Sequence, residues 1–201
     1  MPYLYRLAAQ AHATGVPMMR PMFLEFPDDP GARDVDTQYM LGDALLVAPV
    51  MDADGEAEVY LPAGTWTSWW DGVTVEGPRW VHEYHGMDTV PLYVRQGSVL
   101  PVTGRVERPE DDWAADLTLR CFGLVDGDER EVVVPAHDDC AAVAFHVARR
   151  DGVITARADG ARGPWRLEAD GRSVWADGDA GVTLELAGYA ASEGVSVALR
   201  G

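Results

Sequence analysis

From residue 43 onward the chain is a succession of short segments in which apolar and polar residues alternate, each closed by glycine, proline or Asp-Gly. No other feature constrains its fold as tightly. Side chains on a strand change face at every residue, so such alternation sets one face of each strand against a core and the other in water. "ALLVAPV" (44–50) reads as a short buried strand, and "EAEVYLP" (56–62) alternates. "TWTSWWDG" and "VTVEGPRWVHEY" predict a hairpin about Asp71-Gly72, a strong turn dipeptide. "TVPLYVRQGSVLPV" predicts two strands about Gln96-Gly97. The polar stretch "TGRVERPEDD" (103–112) reads as a boundary, and further alternating strands run from "DLTLRCFGL" to a last one at "VSVALRG". The expectation is a mainly β protein with two consecutive antiparallel β-sandwich domains, over residues 43–102 and 103–201.

Residues 1–42 follow a different pattern. Leu4, Leu7, Ala8 and Ala11 recur at helical spacing and Gly15 is a good stop, which predicts a helix over 2–14. Val16 to Phe26 is a continuous apolar run closed by Pro27-Asp28-Asp29-Pro30. Without alternation it predicts a strand buried on both faces, as in a parallel sheet covered by helices. Val35, Tyr39 and Met40 give 31–42 a weaker helical signal that ends at Gly42. Helix, strand, helix is a fragment of an α/β layer. A strand apolar on both sides needs lateral partners, and left bare it invites aggregation.

Charge excludes some functions. Of the 201 residues 16 are basic and 33 acidic, a net charge of −17, and every basic residue is an arginine. Such a surface repels polyanions, so nucleic acid is not expected as a partner. No apolar run approaches the ~20 residues that span a bilayer, so no membrane partner is expected. The first fifteen residues lack the basic and apolar regions of a signal peptide, and the default location is the cytoplasm. Cys121 and Cys140 lack metal-ligand spacing and read as two buried free thiols, a disulfide being the alternative.

Four segments, "MPYLYRLAAQAHATGVPMMRPMFLEFPDDP", "DTQYMLGDALLVAPV", "VYLPAGTWTSWWDG" and "VPLYVRQGSVLPV", together resemble the C-terminal part of glycoside hydrolase family 31. "RPEDDWAADLTLRCFGL", with its Arg108-Pro109, resembles the α-xylosidase branch of that family. The resemblance implies an order of N-terminal β-domain, (β/α)8 barrel, and proximal and distal C-terminal β-domains. Residues 1–42 would then be the last helix-strand-helix remnant of the barrel, with residues 16–24 as its final strand. Met1 matches an internal methionine of the motif, so a truncated gene, a misplaced start codon or a contig edge is expected.

A retaining glycosidase uses two carboxylates about 5 Å apart, one as nucleophile and one as acid/base. The resemblance puts both aspartates, and the main sugar-binding histidine, on earlier barrel strands. None of those motifs occurs here, so no catalytic, cofactor-binding or metal residue carries over, and no cofactor is expected. The implied function is the C-terminal part of a retaining α-glycosidase, most simply an α-xylosidase acting on terminal α-xylosyl or α-glucosyl residues. Such a part would be inactive alone. Its partners would be the upstream barrel polypeptide and, through that barrel, an oligosaccharide; self-association into a homo-oligomer is a further expectation. A stand-alone carbohydrate-binding or interaction module is the alternative.

The residues that tempt otherwise are few. Glu25, Asp28 and Asp29 fall just past the presumed strand, where they read as capping and turn residues; Glu25 is kept only as a support at one remove from a site. His82 and His85 form an H-x-x-H pair, but on a strand that spacing points the two rings to opposite faces. His12, His137 and His146 stand alone. Trp66, Trp69, Trp70, Trp80 and Tyr84 would make a platform for sugars, or fill the core and the contact with the barrel; the second account is favoured.

Overall fold

The computed structural model describes residues 1–104, 112–136 and 141–186. Arg108, Pro109, His137, Cys140 and the strand predicted at 195–201 lie outside the described residues.

Helix α1 (Pro2–Thr14) forms where the periodicity puts it. A proline in its first turn loses no hydrogen bond, and Gly15 ends it in the left-handed conformation at φ 77°. Its buried Tyr3 and Leu7 pack against Ala44, Val94, Leu100 and Phe122. The Tyr3 hydroxyl donates to the Leu41 carbonyl at 2.7 Å.

The run from Val16 to Phe26 is not the doubly buried strand that its composition predicts. It gives a three-residue strand, β1 (Met19–Pro21), and a single helical turn, α2 (Met22–Glu25). Pro17 and Pro21 explain this: proline has no N–H for a ladder and is confined to strand ends and sheet edges. Val16, Met19, Phe23 and Leu24 are all exposed.

The helix predicted over 31–42 is absent too. Turns lead into β2 (Tyr39–Leu41), which pairs antiparallel with β1. Polar bonds, one local and two reaching Tyr60, outweigh the weak helical periodicity. Asp29 accepts from the Gly31 N–H at 2.9 Å, and the Gln38 amide bonds both the N–H and the carbonyl of Tyr60, at 2.8 and 2.7 Å.

β3 (Leu45–Val47), β4 (Glu56–Ser68), β5 (Thr74–Tyr84) and β6 (Leu92–Arg95) complete a six-stranded antiparallel sheet. Its order is β1-β2-β3-β6-β4-β5. Met22, Ala32 and Met40 bury against Leu46, Val59, Leu61 and Trp66. The irregular segment after β1 thus supplies the covering layer that a second sheet gives in a sandwich, and the first of the two expected sandwiches is a single sheet so covered.

The strands flanking Gln96-Gly97 do not form a hairpin. β6 joins β3 and β4, whereas β7 (Ser98–Thr103) pairs with β8 (Leu117–Phe122) in another sheet. β9 (Glu129–Val134), β10 (Val143–Arg150) and β11 (Val153–Asp159) follow, then β12 (Pro164–Ala169), β13 (Arg172–Asp177) and β14 (Val182–Glu185). They form two four-stranded sheets, β14-β11-β10-β9 and β13-β12-β8-β7, around a core that holds Phe145, Trp165, Leu117, Leu119 and Ile154. These sheets form a sandwich that begins at Ser98, inside the span 43–102 expected for the first unit, and one pair departs from antiparallel order: β12 runs parallel to β8. Where the units meet, Trp69 stacks on Phe122 at 6.1 Å and the Arg120 guanidinium lies 4.5 Å above the Trp69 ring.

Candidate functional site

The three carboxylates after β1 do not converge. Glu25, at the end of α2, is gripped by two guanidinium groups: Arg20 Nη1 lies 2.9 Å from Oε2 and Arg95 Nη1 lies 3.1 Å from Oε1. Arg20 is buried and also reaches the Gln10 amide and the Pro17 carbonyl, both at 3.3 Å. Arg95 covers the rings of Phe26 and Trp66 at 4.7 and 5.7 Å. Paired in this way, Glu25 fixes β6 to the segment after β1. Asp29 instead accepts from the Tyr60 hydroxyl at 3.0 Å, and burial, then this carboxylate, raises the Tyr60 pKa above the ordinary tyrosine value. Asp28 is exposed.

His82 and His85 take separate partners. His82 lies 3.5 Å from Glu56 and meets the edge of Tyr84, whereas His85 bonds Glu83 at 2.8 Å and Thr89 at 3.0 Å. Glu83 also accepts from the Tyr93 hydroxyl. His146 pairs with Asp159 at 3.0 Å, and His12 is exposed. Among the described residues no three His, Cys, Asp or Glu side chains gather as a metal site would need. Cys121 is a buried free thiol whose pKa burial pushes up to about 12.

The aromatics divide three ways. Trp66 is fully buried and donates its N–H to the Pro62 carbonyl at 2.9 Å. Trp69 belongs to the junction between the units. Trp70, Trp80 and Tyr84 are exposed in this chain, so of the five rings Trp66 stands in the core and Trp69 between the units. Trp80 and Tyr84 stand on one face of β5 with His82 between them, opposite Tyr60, Glu58 and Glu56 of β4. Beside them opens a groove of about 580 Å³, walled by parts of the segments before β2 and before β4 and by the start of β4. Trp80 lines it together with Asp34, Asp36, Asp52, Glu56 and Glu58, and no basic side chain does. Sequence reasoning passed over these acids, although alternation in "EAEVYLP" already put Glu56 and Glu58 on the open face. A second hollow, about 520 Å³, lies on the outer face of β9, β10, β11 and β14, with Glu131, His146 and Arg157 in its wall.

Comparison with known proteins agrees with this architecture. Residues 15–100 match the family model of the glycosyl hydrolase family 31 C-terminal domain, and residues 112–199 match that of the C-terminal domain of the α-xylosidase YicI. An α-xylosidase of Emericella nidulans is 40% identical over 81% of this chain and 22% of its own length. The α-xylosidase XylQ of Lactiplantibacillus pentosus is 39% identical over 81% of this chain and 22% of its own. The crystal structure of a family 31 α-xylosidase from Xanthomonas citri superposes with a TM-score of 0.73 at 25% identity, covering 92% of this chain and 23% of that one. The chain thus spans little more than a fifth of the length of the relatives it matches. From the two consecutive family models and the shared architecture, the chain belongs to glycoside hydrolase family 31, of whose members it corresponds to the C-terminal portion.

Proposed function

We propose that this chain is the C-terminal part of a retaining α-glycosidase that releases terminal α-linked xylose, α-linked glucose being the second choice. The observation that carries the preference is the match of residues 112–199 to a domain model named for an α-xylosidase. In this reading the reacting carboxylates belong to barrel strands outside the chain. Retention needs an acid and a nucleophile about 5 Å apart across the glycosidic bond. Glu25 is neutralised by two arginines and Asp29 is held by Tyr60, so neither is free for that work. The role left to the chain is structural.

The exposed side chains of Val16, Met19, Phe23 and Leu24 support this role. They lie in and beside β1, an edge strand of the six-stranded sheet. An apolar edge of this kind is a seat for another part of a protein. The barrel polypeptide is its proposed occupant, and residues 1–42 are the part that meets it. A free-standing module would leave this surface in water, which counts against the alternative.

An aryl α-xyloside tests the proposal. The purified 201-residue chain is expected to give no turnover above background. A chimera in which this chain replaces the matching portion of the Emericella nidulans α-xylosidase is expected to fold and hydrolyse the same substrate. Turnover by the chain alone would sink the proposal.

A further inference from the structure

Strand β5 is the edge of the six-stranded sheet opposite β1, and it carries two aromatic rings that remain more than half exposed. Trp80 is 54% exposed and Tyr84 67%, and both project from the same face because they are four residues apart on one strand. That spacing sets their Cα atoms roughly 13 Å apart along β5. Trp80 rests on Tyr60 at a ring distance of 5.3 Å, which fixes its orientation while leaving its outer face open. Glu56 accepts from the Tyr84 hydroxyl at 2.9 Å and lies 3.5 Å from His82, so the polar groups beside the rings are held as well.

We infer that this face, with the groove beside Trp80, is a binding site for a neutral oligosaccharide running along β5. It lies at the sheet edge opposite the apolar seat at β1. The ligand class follows from the lining. Sugar rings offer C–H faces that stack on aromatic rings, and hydroxyls that donate to carboxylates. Five carboxylates without a basic side chain reject phosphate and uronate groups. The same acids do not cluster as a metal site requires among the described residues, and of the two partners left, a polyol and a basic peptide, the open rings of Trp80 and Tyr84 along one strand face are assigned to the polyol. In its choice of ligand the inference rests on the proposed glycosidase function.

The experiment titrates the full 201-residue chain by calorimetry with a xylosylated cellotetraose and with maltoheptaose, and maps the bound state by amide chemical shifts. Saturable binding of either sugar is expected, with shifts concentrated in residues 54–60 and 80–84. Trp80→Ala and Tyr84→Ala should each weaken it by about tenfold. Trp175→Phe, an exposed tryptophan of the other unit, should leave it unchanged. Shift mapping on the unsubstituted chain keeps the test decisive if a variant loses its fold. Three results would overturn the inference: no binding up to about 10 mM sugar, binding with shifts elsewhere, or binding of a polyarginine peptide alone. The aryl α-xyloside assay separates the two claims. Turnover by the chain alone would sink the reading that the reacting carboxylates lie outside it whatever the titration gives, and an inert chain that binds no sugar would sink only the site on β5.

Discussion

At the scale of single residues, Glu25 is the most heavily committed side chain of the N-terminal segment. It neutralises the buried Arg20 and the half-buried Arg95 together, and through them ties α1, α2 and β6. Breaking a largely buried ion pair strands the remaining charge, which costs more than the pair itself contributed. Glu25→Ala should therefore destabilise the protein by about 3 kcal/mol, read as a lower urea midpoint at an unchanged slope. Asp28→Ala, at an exposed and neighbouring carboxylate, should shift the midpoint by less than about 0.5 kcal/mol. Equal effects would show that Glu25 is only another surface acid. The sequence marks Glu25 as something other than a catalyst, but Arg95 is 70 residues away. Their meeting depends on the sheet order, which no local pattern encodes.

At the scale of elements, what was legible followed from periodicity and what was missed followed from proline and polar side chains. Helix α1 and the alternating strands stand where their repeats put them. The buried strand and the second helix failed because Pro17 and Pro21 withhold ladder donors, and because Asp29 and Gln38 take backbone partners, Gln38 at 22 residues' distance, that the apolar count ignores. Gly42 illustrates the difference. The sequence makes it a helix stop; in the fold it is a turn at φ 68° on which α1 sits. A Cβ there would lie 2.5 Å from both the Leu7 side chain and the Tyr3 hydroxyl. Gly42→Ala then combines backbone strain with a steric clash and should cost about 3 kcal/mol. Gly152, at φ 75° with open space around it, isolates the backbone part, and Gly152→Ala should cost about 1 kcal/mol. Thermal melts of the two variants decide it. If they fall equally, α1 is not seated on the turn.

At the scale of the whole molecule, the two units differ in what holds them. Both close on apolar cores, but the six-stranded sheet and its covering layer are in addition tied by the hydroxyls of three buried tyrosines. Tyr3 joins α1 to β2, Tyr60 joins β4 to the turn at Asp29, and Tyr93 joins β6 to Glu83 of β5. Burial raises the pKa of all three above the ordinary value of 10, with the neighbouring carboxylates of Asp43, Asp29 and Glu83 adding to it. The sign is then fixed. Below pH 10 these hydroxyls are protonated in both states and their contribution to stability is complete. Above pH 10 the unfolded chain releases protons that the folded chain retains, so stability falls as pH rises toward the folded-state pKa values. Between pH 8 and pH 11 the loss should be of order 1 kcal/mol for each of Tyr3 and Tyr93. Urea unfolding at the two pH values measures it. Part of any alkaline loss in so acidic a chain is general repulsion, and the Tyr3→Phe, Tyr60→Phe, Tyr93→Phe triple variant separates the two causes. It should start lower at pH 8, having lost three hydrogen bonds, yet decline less steeply. A triple variant that declines as steeply as the parent chain would mean that the tyrosines are bystanders and that charge alone governs the alkaline limit.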